Sequence, residues 1–275
     1  MGQRDAGGSE TAQRVAALRA GFDRPSTPEG DPDAQRAMCR GMRPSRAPGR
    51  RRQLLARTRF FDRAVLDALG AGIGQVVIVG AGYDDRALRF RTAGATFFEL
   101  DHPATQADKR RRLEATAGGQ GGPGAPVLAP LDLRDDDVAR VLDGIGHAAD
   151  RPSLFICEGL LVYLTREAIA ALLGGLAARA GSGSTLALSL AMHAHGLDSA
   201  TVIADANAGR RFAGSEPWLT IMPLPEWLAV LRAAGWREER GVASADLVAG
   251  AADGRSALVL ARPAAGSDAA PPGAA

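Results

Sequence analysis

Three apolar runs of this sequence each end in a carboxylate, at Asp101, Asp132 and Glu158. A fourth apolar run, Gln75–Val79, ends instead in a glycine turn at residues 80–82 (GAG). Glycine lets a backbone turn tightly and approach a ligand closely. A carboxylate about 20 positions further on, at the end of the next strand, is placed to accept hydrogen bonds from ribose hydroxyls. Both Glu99 and Asp101 fit that position, so the stretch predicts half of a nucleotide-binding unit.

The residue at position 85 argues against a dinucleotide ligand. In the fingerprint G-x-G-x-x-G/A the third small residue lets helix and strand pack, and the helix start faces a pyrophosphate. Asp85 stands at that third position, and a carboxylate there would repel a pyrophosphate. A neutral or positively charged nucleoside ligand is more consistent with it, and S-adenosylmethionine has an adenosine and a sulfonium but no phosphate. The preceding Asp84 is placed to cap the helix that follows.

Strand-like and helix-like patterns alternate around these residues. Strands are expected at residues 75–79, in a run ending at Asp101, and at residues 127–132, 154–157, 185–190, 238–243 and 257–261. Helices are expected at residues 10–20 (capped by Ser9), 34–40, 50–69, 103–115, 135–142, 166–180, 197–212 and 225–234. This alternation predicts a parallel α/β sheet. Because ligands bind outside the carboxyl ends of the strands in such a sheet, the three strand-ending acids are expected to gather at one edge.

The composition argues against several classes of protein. A net charge of +2 gives no electrostatic argument for nucleic acid, and no apolar run reaches the roughly 18 residues of a membrane span. The N-terminus lacks the apolar core of a signal peptide, so we expect a soluble cytoplasmic protein. Cys39 and Cys157 lie far apart without metal-type spacing, which is not the pattern of a disulfide scaffold. Lys109 is the only lysine, so any single arginine carries less functional meaning than it would elsewhere.

Proline and glycine content divides the chain into three parts. Residues 1–48, which contain five prolines from position 25 onwards, are predicted to form an N-terminal arm or lid that is partly disordered. Residues 49–263 are predicted to form one α/β domain, for which the 275-residue chain is long enough. Residues 264–275 are rich in proline, alanine and glycine and are predicted to be a disordered tail.

Five segments, in order and spacing, carry a resemblance to one known family: residues 56–62 (ARTRFFD), 75–89 (QVVIVGAGYDDRALR), 98–103 (FELDHP) with Lys109, 131–133 (LDL) and 158–164 (EGLLVYL). They resemble the leucine carboxyl methyltransferase-like family of class I S-adenosylmethionine-dependent methyltransferases, including its bacterial members. The resemblance implies a Rossmann-like fold. It would have a mostly parallel seven-stranded sheet with helices on both faces, preceded by an N-terminal helical extension.

The resemblance also implies S-adenosylmethionine as the cofactor and a set of residues that bind it: Arg57, Gly80, Ala81, Gly82, Glu99, Asp101, His102, Asp132, Leu133 and Glu158. Arg57 would bind the methionyl carboxylate, the alternative being a solvated helix arginine. The glycines would let the backbone approach the methionyl and ribose portion, and Asp101 would take the ribose hydroxyls. Glu99 would be its partner or a support of the loop. His102 would touch adenine or cap the next helix.

At the adenine end, the resemblance implies that Asp132 accepts from the exocyclic amine and that the Leu133 backbone N–H donates to a ring nitrogen. Glu158 would lie near the ammonium and sulfonium, the alternative being a strand-end carboxylate satisfied by neighbouring backbone. Tyr163 would pack over the cofactor or the acceptor, or serve as a half-buried structural residue.

The sequence does not identify a catalytic residue, although Tyr163, His193 and His195 are candidates. Methyl transfer from a sulfonium is an in-line displacement with an activated leaving group, so a carboxylate acceptor needs no base, whereas a phenol or alcohol can need one. The alternative for the two histidines is a pair of loop residues near the mouth of the site. Two histidines without a third ligand do not make a metal site, so no metal is predicted.

Three functions stay open at this point. The first is O-methylation of a small-molecule carboxylate or hydroxyl, for example in secondary metabolism, without a nucleic-acid or membrane partner. The second is carboxyl methylation of a protein C-terminus. The third is a catalytically silent S-adenosylmethionine-binding protein or a nicotinamide oxidoreductase, and Asp85 argues against the oxidoreductase. The family commonly has threonine at Asp85 and an aromatic residue at Leu88. The region after Leu190, which helps to shape the acceptor pocket in such enzymes, matches poorly, so the acceptor cannot be carried over.

Overall fold

Alternating strands and helices build an open sheet. The computed structural model describes residues 8–44, 48–115, 124–208, 216–239 and 256–264. Within these ranges the strands are β1 (Gln75–Val79), β2 (Thr96–Asp101), β3 (Val127–Pro130), β4 (Leu154–Cys157), β5 (Thr185–Ala191), β6 (Trp236–Glu238) and β7 (Ser256–Pro263). The α-helices are α1 (Glu10–Arg19), α2 (Ala34–Met38), α3 (Pro48–Gly70), α4 (Arg86–Arg89), α5 (Pro103–Glu114), α6 (Val138–Gly144), α7 (Arg166–Ala177), α8 (Ser199–Ala208) and α9 (Leu224–Ala233).

The strands form one sheet in the order β3-β2-β1-β4-β5-β7-β6. Strands β1 to β5 pair in parallel, whereas β7 runs antiparallel to both β5 and β6. Val79, the last residue of β1, lies opposite Leu100 of β2 and Cys157 of β4. The residues that follow these strands therefore meet at one edge, and the predicted mostly parallel seven-stranded Rossmann-like fold is confirmed.

Helices cover both faces of the sheet. The side chains of β1 alternate between the two faces, as they must in a strand. Val77 and Val79 belong to a core that includes residues of α6, α7 and α9, whereas Val76 and Ile78 pack in a second core with residues of α3. All of β1 is buried, which is what a continuous β-branched run predicts for a central parallel strand.

The described N-terminal segment, residues 8–44, packs against this domain, and we call it the N-terminal arm. Ser9 caps α1 as predicted, since its Oγ accepts a hydrogen bond from the Ala12 N–H at 3.1 Å. Residues of α1 and α2 pack with Tyr83 and Leu88 in a third apolar cluster. The division of the chain at residue 48 stays a prediction, and residues 1–7 and 265–275 lie outside the described residues.

Several predicted boundaries differ from the structure for local reasons. β3 ends at Pro130 rather than at residue 132, because proline has no N–H with which to continue the ladder. α6 begins at Val138 rather than at residue 135, because Asp137 caps it through the Ala139 N–H at 2.8 Å. β6 begins at Trp236 rather than at residue 238, and the buried indole Nε1 of Trp236 donates to the Leu173 carbonyl at 2.9 Å.

Parts of other predicted elements lie outside the described residues. These parts are residues 209–212 of the predicted helix, residues 240–243 of the predicted strand and most of the loop at residues 117–126. In the described part of the chain, no helix combines the length and apolar character needed to cross a membrane. The cytoplasmic location stays a prediction.

Candidate functional site

The glycine turn after β1 is fixed to the end of β2. The N–H groups of Gly80 and Ala81 both donate to the Leu100 carbonyl, at 2.8 and 3.1 Å. Gly80 and Gly82 have φ values of +68° and +50°, in the left-handed region that favours glycine. A Cβ on Gly80 would also come within 2.9 Å of the Leu160 side chain. Both the conformation and the space therefore require glycine at the first position of the turn.

Asp101, at the end of β2, holds the same turn through its side chain. Its Oδ2 accepts from the Gly82 N–H at 2.6 Å, and its Oδ1 accepts from the His102 N–H at 2.7 Å. Burial raises the pKa of Asp101, and these two backbone hydrogen bonds oppose the rise. Because a carboxylate offers about four acceptor positions, Asp101 keeps acceptor capacity for a ligand hydroxyl.

Glu99 lies beneath the turn rather than at the open edge. Its side chain is fully buried and forms an ion pair with Lys109. The Lys109 Nζ also donates to the Asp84 carbonyl at 2.7 Å, so the pair links β2 to the turn. Burial raises the pKa of Glu99 to about 7, against the opposing charge of Lys109. The structure therefore places Glu99 as a support of the loop.

His102 and Asp132 lie next to each other at the edge formed by β2 and β3. His102 caps α5, where its Nδ1 accepts from the Ala104 N–H at 3.4 Å, and its Nε2 lies 3.6 Å from an Asp132 carboxylate oxygen. Arg134 also binds Asp132, through Nε at 2.8 Å, and this hydrogen bond lowers the pKa of Asp132 to about 2. Leu133 packs its side chain against the core, and the predicted adenine contacts stay predictions.

Glu158, directly after β4, is the centre of a group of buried charges. Its Oε1 accepts from Arg19 of α1 and from the Arg57 Nε at 2.8 Å, and its Oε2 accepts from the Arg86 Nη1 at 2.9 Å. Burial raises the pKa of Glu158, but the charges of Arg19, Arg86 and Arg57 outweigh it, and the pKa falls well below its usual range. Glu158 is thus an anionic anchor for three guanidinium groups.

The contacts of Glu158 extend into an arginine–carboxylate network. Among the described residues, its ion pairs join five guanidinium groups to four carboxylates and leave one positive charge uncompensated. The members are Arg19, Arg24, Arg57, Arg86 and Arg89 with Asp62, Asp84, Asp85 and Glu158. The Arg57 side chain is 30% exposed, whereas those of the other four arginines are at most 7% exposed. The network therefore reaches solvent at Arg57, where an anion can bind.

The network changes the interpretation of Asp85. Arg24 binds both of its carboxylate oxygens, at 2.9 and 2.5 Å, and the Arg89 Nε donates to it at 3.1 Å. Burial raises the pKa of Asp85, but Arg89 and Arg24 outweigh it, and the pKa falls to about 2. The argument that Asp85 repels a pyrophosphate is therefore wrong, because two arginines neutralise it. Asp85 also takes the cap position predicted for Asp84, whose Oδ1 accepts from the Arg86 N–H at 2.8 Å.

The candidate catalytic residues lie after β4 and β5. Tyr163 is half-buried in a 3-10 turn, Leu161–Tyr163, and its charge acts on the pKa of Arg57. His193 is buried, with Nδ1 2.8 Å from the Ala194 carbonyl and Nε2 2.8 Å from the Ser199 Oγ, whereas His195 is exposed. Among the residues that the structure describes, no group of histidine, cysteine, aspartate and glutamate side chains is arranged to hold a metal ion.

Sequence reasoning missed the arginines that complete the network. Arg19 and Arg24 belong to the N-terminal arm, and Arg86 and Arg89 belong to α4. In α1, Ala16 and Arg19 are the buried residues, three positions apart and so on one face. That spacing is the available signal, and it cannot single out Arg19 in a chain whose basic residues are nearly all arginine.

Comparison with known proteins identifies the family to which these residues correspond. The sequence profile of the leucine carboxyl methyltransferase family matches residues 12–177. The match covers most of α1 and runs through β4 to the end of α7, so it includes Arg57, Asp101, Asp132 and Glu158. It ends before β5 and leaves out His193 and His195.

Two bacterial relatives illustrate the extent of the similarity. A Streptomyces coelicolor protein, named provisionally as an S-adenosyl-L-methionine-dependent methyltransferase, is 35% identical over 198 residues, which cover 66% of this chain and 68% of the relative. A provisionally named methyltransferase from Mycolicibacterium gilvum is 38% identical over 161 residues, which cover 58% of this chain and 48% of the relative. The chain thus spans about half the length of the Mycolicibacterium relative.

Solved structures share the fold. A DUF574 family protein from Streptomyces avermitilis superposes with a TM-score of 0.58 at 18% identity, covering 92% of this chain and 97% of that one. Magnesium protoporphyrin IX methyltransferase from Synechocystis, solved with bound S-adenosylhomocysteine, superposes with a TM-score of 0.51 at 17% identity, covering 83% and 92%. Both likenesses concern the fold alone.

Proposed function

The chain belongs to the leucine carboxyl methyltransferase family, and we propose that it transfers a methyl group to an oxygen atom of a small molecule, a hydroxyl or a carboxylate. S-adenosyl-L-methionine is the cofactor. One observation carries the proposal: the region of family similarity brings Arg57, Asp101 and Asp132 to the same edge of the sheet. We take secondary metabolites as the first class of acceptors to screen.

The residues at this edge fit the cofactor chemically. The arginine–carboxylate network carries an uncompensated positive charge and opens to solvent at Arg57, which suits an amino-acid carboxylate. Gly159 faces the Arg57 fork, and a Cβ on Gly159 would lie 3.5 Å from Nη1, so glycine keeps the fork accessible. Asp101 has acceptor positions left for ribose hydroxyls.

The proposed roles follow from this arrangement. When bound, S-adenosyl-L-methionine supplies a methyl group on a positively charged sulfur, whose thioether is a good leaving group. Arg57 would hold the carboxylate end, Asp101 the ribose, and Asp132 with the Leu133 N–H the adenine. The chain's main contribution is then to fix the methyl group and the acceptor oxygen in line and to exclude water.

His193 is the group that we propose as the base for a hydroxyl acceptor. A carbonyl oxygen only accepts, so the His193 Nδ1 carries the proton that it donates to Ala194. The Nε2 of the neutral ring then accepts from the Ser199 hydroxyl. His193 would take the acceptor proton at Nε2, directly or through Ser199, as the new C–O bond forms. A carboxylate acceptor has no proton to remove.

Protein C-terminal carboxyl methylation, the activity that gives the family its name, is not part of this proposal. The family similarity ends at residue 177, so it does not extend to the segment after β5 that would contact an acceptor. The small-molecule proposal rests on the cofactor half of the site and leaves the acceptor to experiment.

Methyl transfer from a radiolabelled cofactor tests this function. The full chain is incubated with methyl-labelled S-adenosyl-L-methionine and a panel of phenols, alcohols and carboxylic acids. We expect label in an organic-soluble product. Alkali then separates the two acceptor types, because a methyl ester releases volatile methanol and a methyl ether does not. Label transferred to peptide C-termini but to none of the small molecules would contradict the proposal.

A further inference from the structure

Arg19 is carried to the candidate site by the N-terminal arm. It is the last residue of α1 and is buried against α3, where its Nε donates to the Thr58 Oγ1 at 3.3 Å. The arm is held there by contacts elsewhere along its length. The Thr27 N–H donates to the Arg89 carbonyl at 3.1 Å, and the Asp31 N–H donates to the Leu88 carbonyl at 3.0 Å.

Two like charges meet on one oxygen at this point. Arg19 and Arg57 both donate to the Glu158 Oε1, and the Arg19 charge lowers the pKa of Arg57. A guanidinium carries five N–H donors, and the described contacts occupy only part of each fork. For Arg19, the Nη1 lies 3.8 Å from the Asp84 carboxylate, beyond hydrogen-bond distance. Glu158 thus holds two cations side by side with donors to spare.

We propose that Arg19 and Arg57 together bind the amino-acid carboxylate of the cofactor, with Glu158 holding the two guanidinium groups in position. This inference rests on the proposed function, since it assigns a further binding residue to the same site. A carboxylate between two arginines supplies the negative charge that the network lacks and relieves the repulsion between the two cations.

The assignment couples the N-terminal arm to cofactor binding. Arg57 belongs to the domain, but Arg19 reaches Glu158 only while α1 is docked. Cofactor with an intact carboxylate therefore stabilises the docked arm, and displacement of the arm weakens binding. A ligand that keeps the adenosine and the sulfur but has no amino acid gains nothing from Arg19.

Two ligands separate this role from a structural one. S-adenosylhomocysteine carries the carboxylate, and 5′-methylthioadenosine shares its adenosine thioether but has no amino acid. Calorimetric titration of the full chain with both is compared for the wild type and Arg19→Gln. We expect Arg19→Gln to weaken S-adenosylhomocysteine by roughly ten- to a hundredfold, the range for a hydrogen bond to a charged group, and to leave 5′-methylthioadenosine within about twofold.

Arg24→Gln is the matched control. Arg24 is also a buried arm arginine, but it binds Asp85 and makes no described contact with Glu158. Arg24→Gln should change the two affinities by the same factor. Equal weakening of both ligands by Arg19→Gln, no weakening of either, or the same selectivity in Arg24→Gln would overturn the assignment.

Folding of the variant and failure of the proposed function are both distinguishable outcomes. Removal of Arg19 leaves four guanidinium groups and four carboxylates in the network, so we expect Arg19→Gln to fold. Should it not fold, Arg19→Lys keeps the charge but loses the fork, and we expect a smaller loss that is still specific to S-adenosylhomocysteine. Wild-type protein that binds neither ligand would contradict the proposed function itself, and with it this inference.

Discussion

Glu158→Gln is the substitution whose effect the structure determines most closely. Glutamine has the same shape but no charge, and its amide nitrogen would face guanidinium donors that need an acceptor. The wild-type carboxylate is 5% exposed and accepts from Arg19, Arg57 and Arg86. Breaking a buried ion pair by removing one partner typically costs about 3–5 kcal/mol, because the other charge stays buried without compensation. We therefore expect Glu158→Gln to lower the free energy of unfolding by about 3–5 kcal/mol.

Urea unfolding followed by circular dichroism at neutral pH measures this change. Glu226→Gln is the matched control, because it removes the same group from an exposed 2.8 Å pair with Arg166. An exposed pair contributes about 0–1 kcal/mol, so the control should differ little from the wild type. If Glu158→Gln is no more destabilising than Glu226→Gln, the network is not the buried anchor that we describe.

Three further predictions follow from other parts of the site and fold. Asp101→Ala should weaken S-adenosylhomocysteine by about tenfold or more in calorimetry, since it removes a charged acceptor and the support of the glycine turn, and unchanged affinity would remove Asp101 from the site. His193→Gln should slow transfer to a phenol by about a hundredfold or more while sparing a carboxylic acid, and equal slowing of both acceptors would argue against its role as a base. Burial lowers the pKa of His147 to about 4 from 6.5, so the unfolded chain takes up the proton first and stability is lost as the pH falls from 6.5 towards 4. His147→Asn should flatten that part of the stability curve in urea unfolding, and a slope equal to that of the wild type would show that His147 does not titrate in this way.

The fold could be predicted largely from local patterns. The β-branched run of β1, the amphipathic helix α3 and the regular alternation of strands and helices each specify their element independently of distant contacts. Where boundaries moved, a specific residue decided them, such as Pro130 at the end of β3 or the buried Trp236 at the start of β6. Periodicity does not contain the tertiary hydrogen bond of an indole.

The candidate site could be predicted only in part. The glycine turn and Asp101 follow from spacing, because both stand at adjacent strand ends, and the structure places them in contact. The pairing of Asp85 with Arg24 could not be foreseen, because it joins residues that are 61 positions apart. The same holds for Arg19 and Glu158, which are 139 positions apart. A charge read in isolation suggested repulsion at Asp85, whereas its partner from the N-terminal arm neutralises it.

Calorimetric titration of the full chain with S-adenosylhomocysteine, and separately with NAD, tests the central claim most directly. The arrangement of Arg57, Asp101 and Asp132 at one sheet edge predicts micromolar binding of S-adenosylhomocysteine and no measurable binding of NAD. Micromolar binding of NAD without binding of S-adenosylhomocysteine would contradict the assignment of this edge to S-adenosyl-L-methionine.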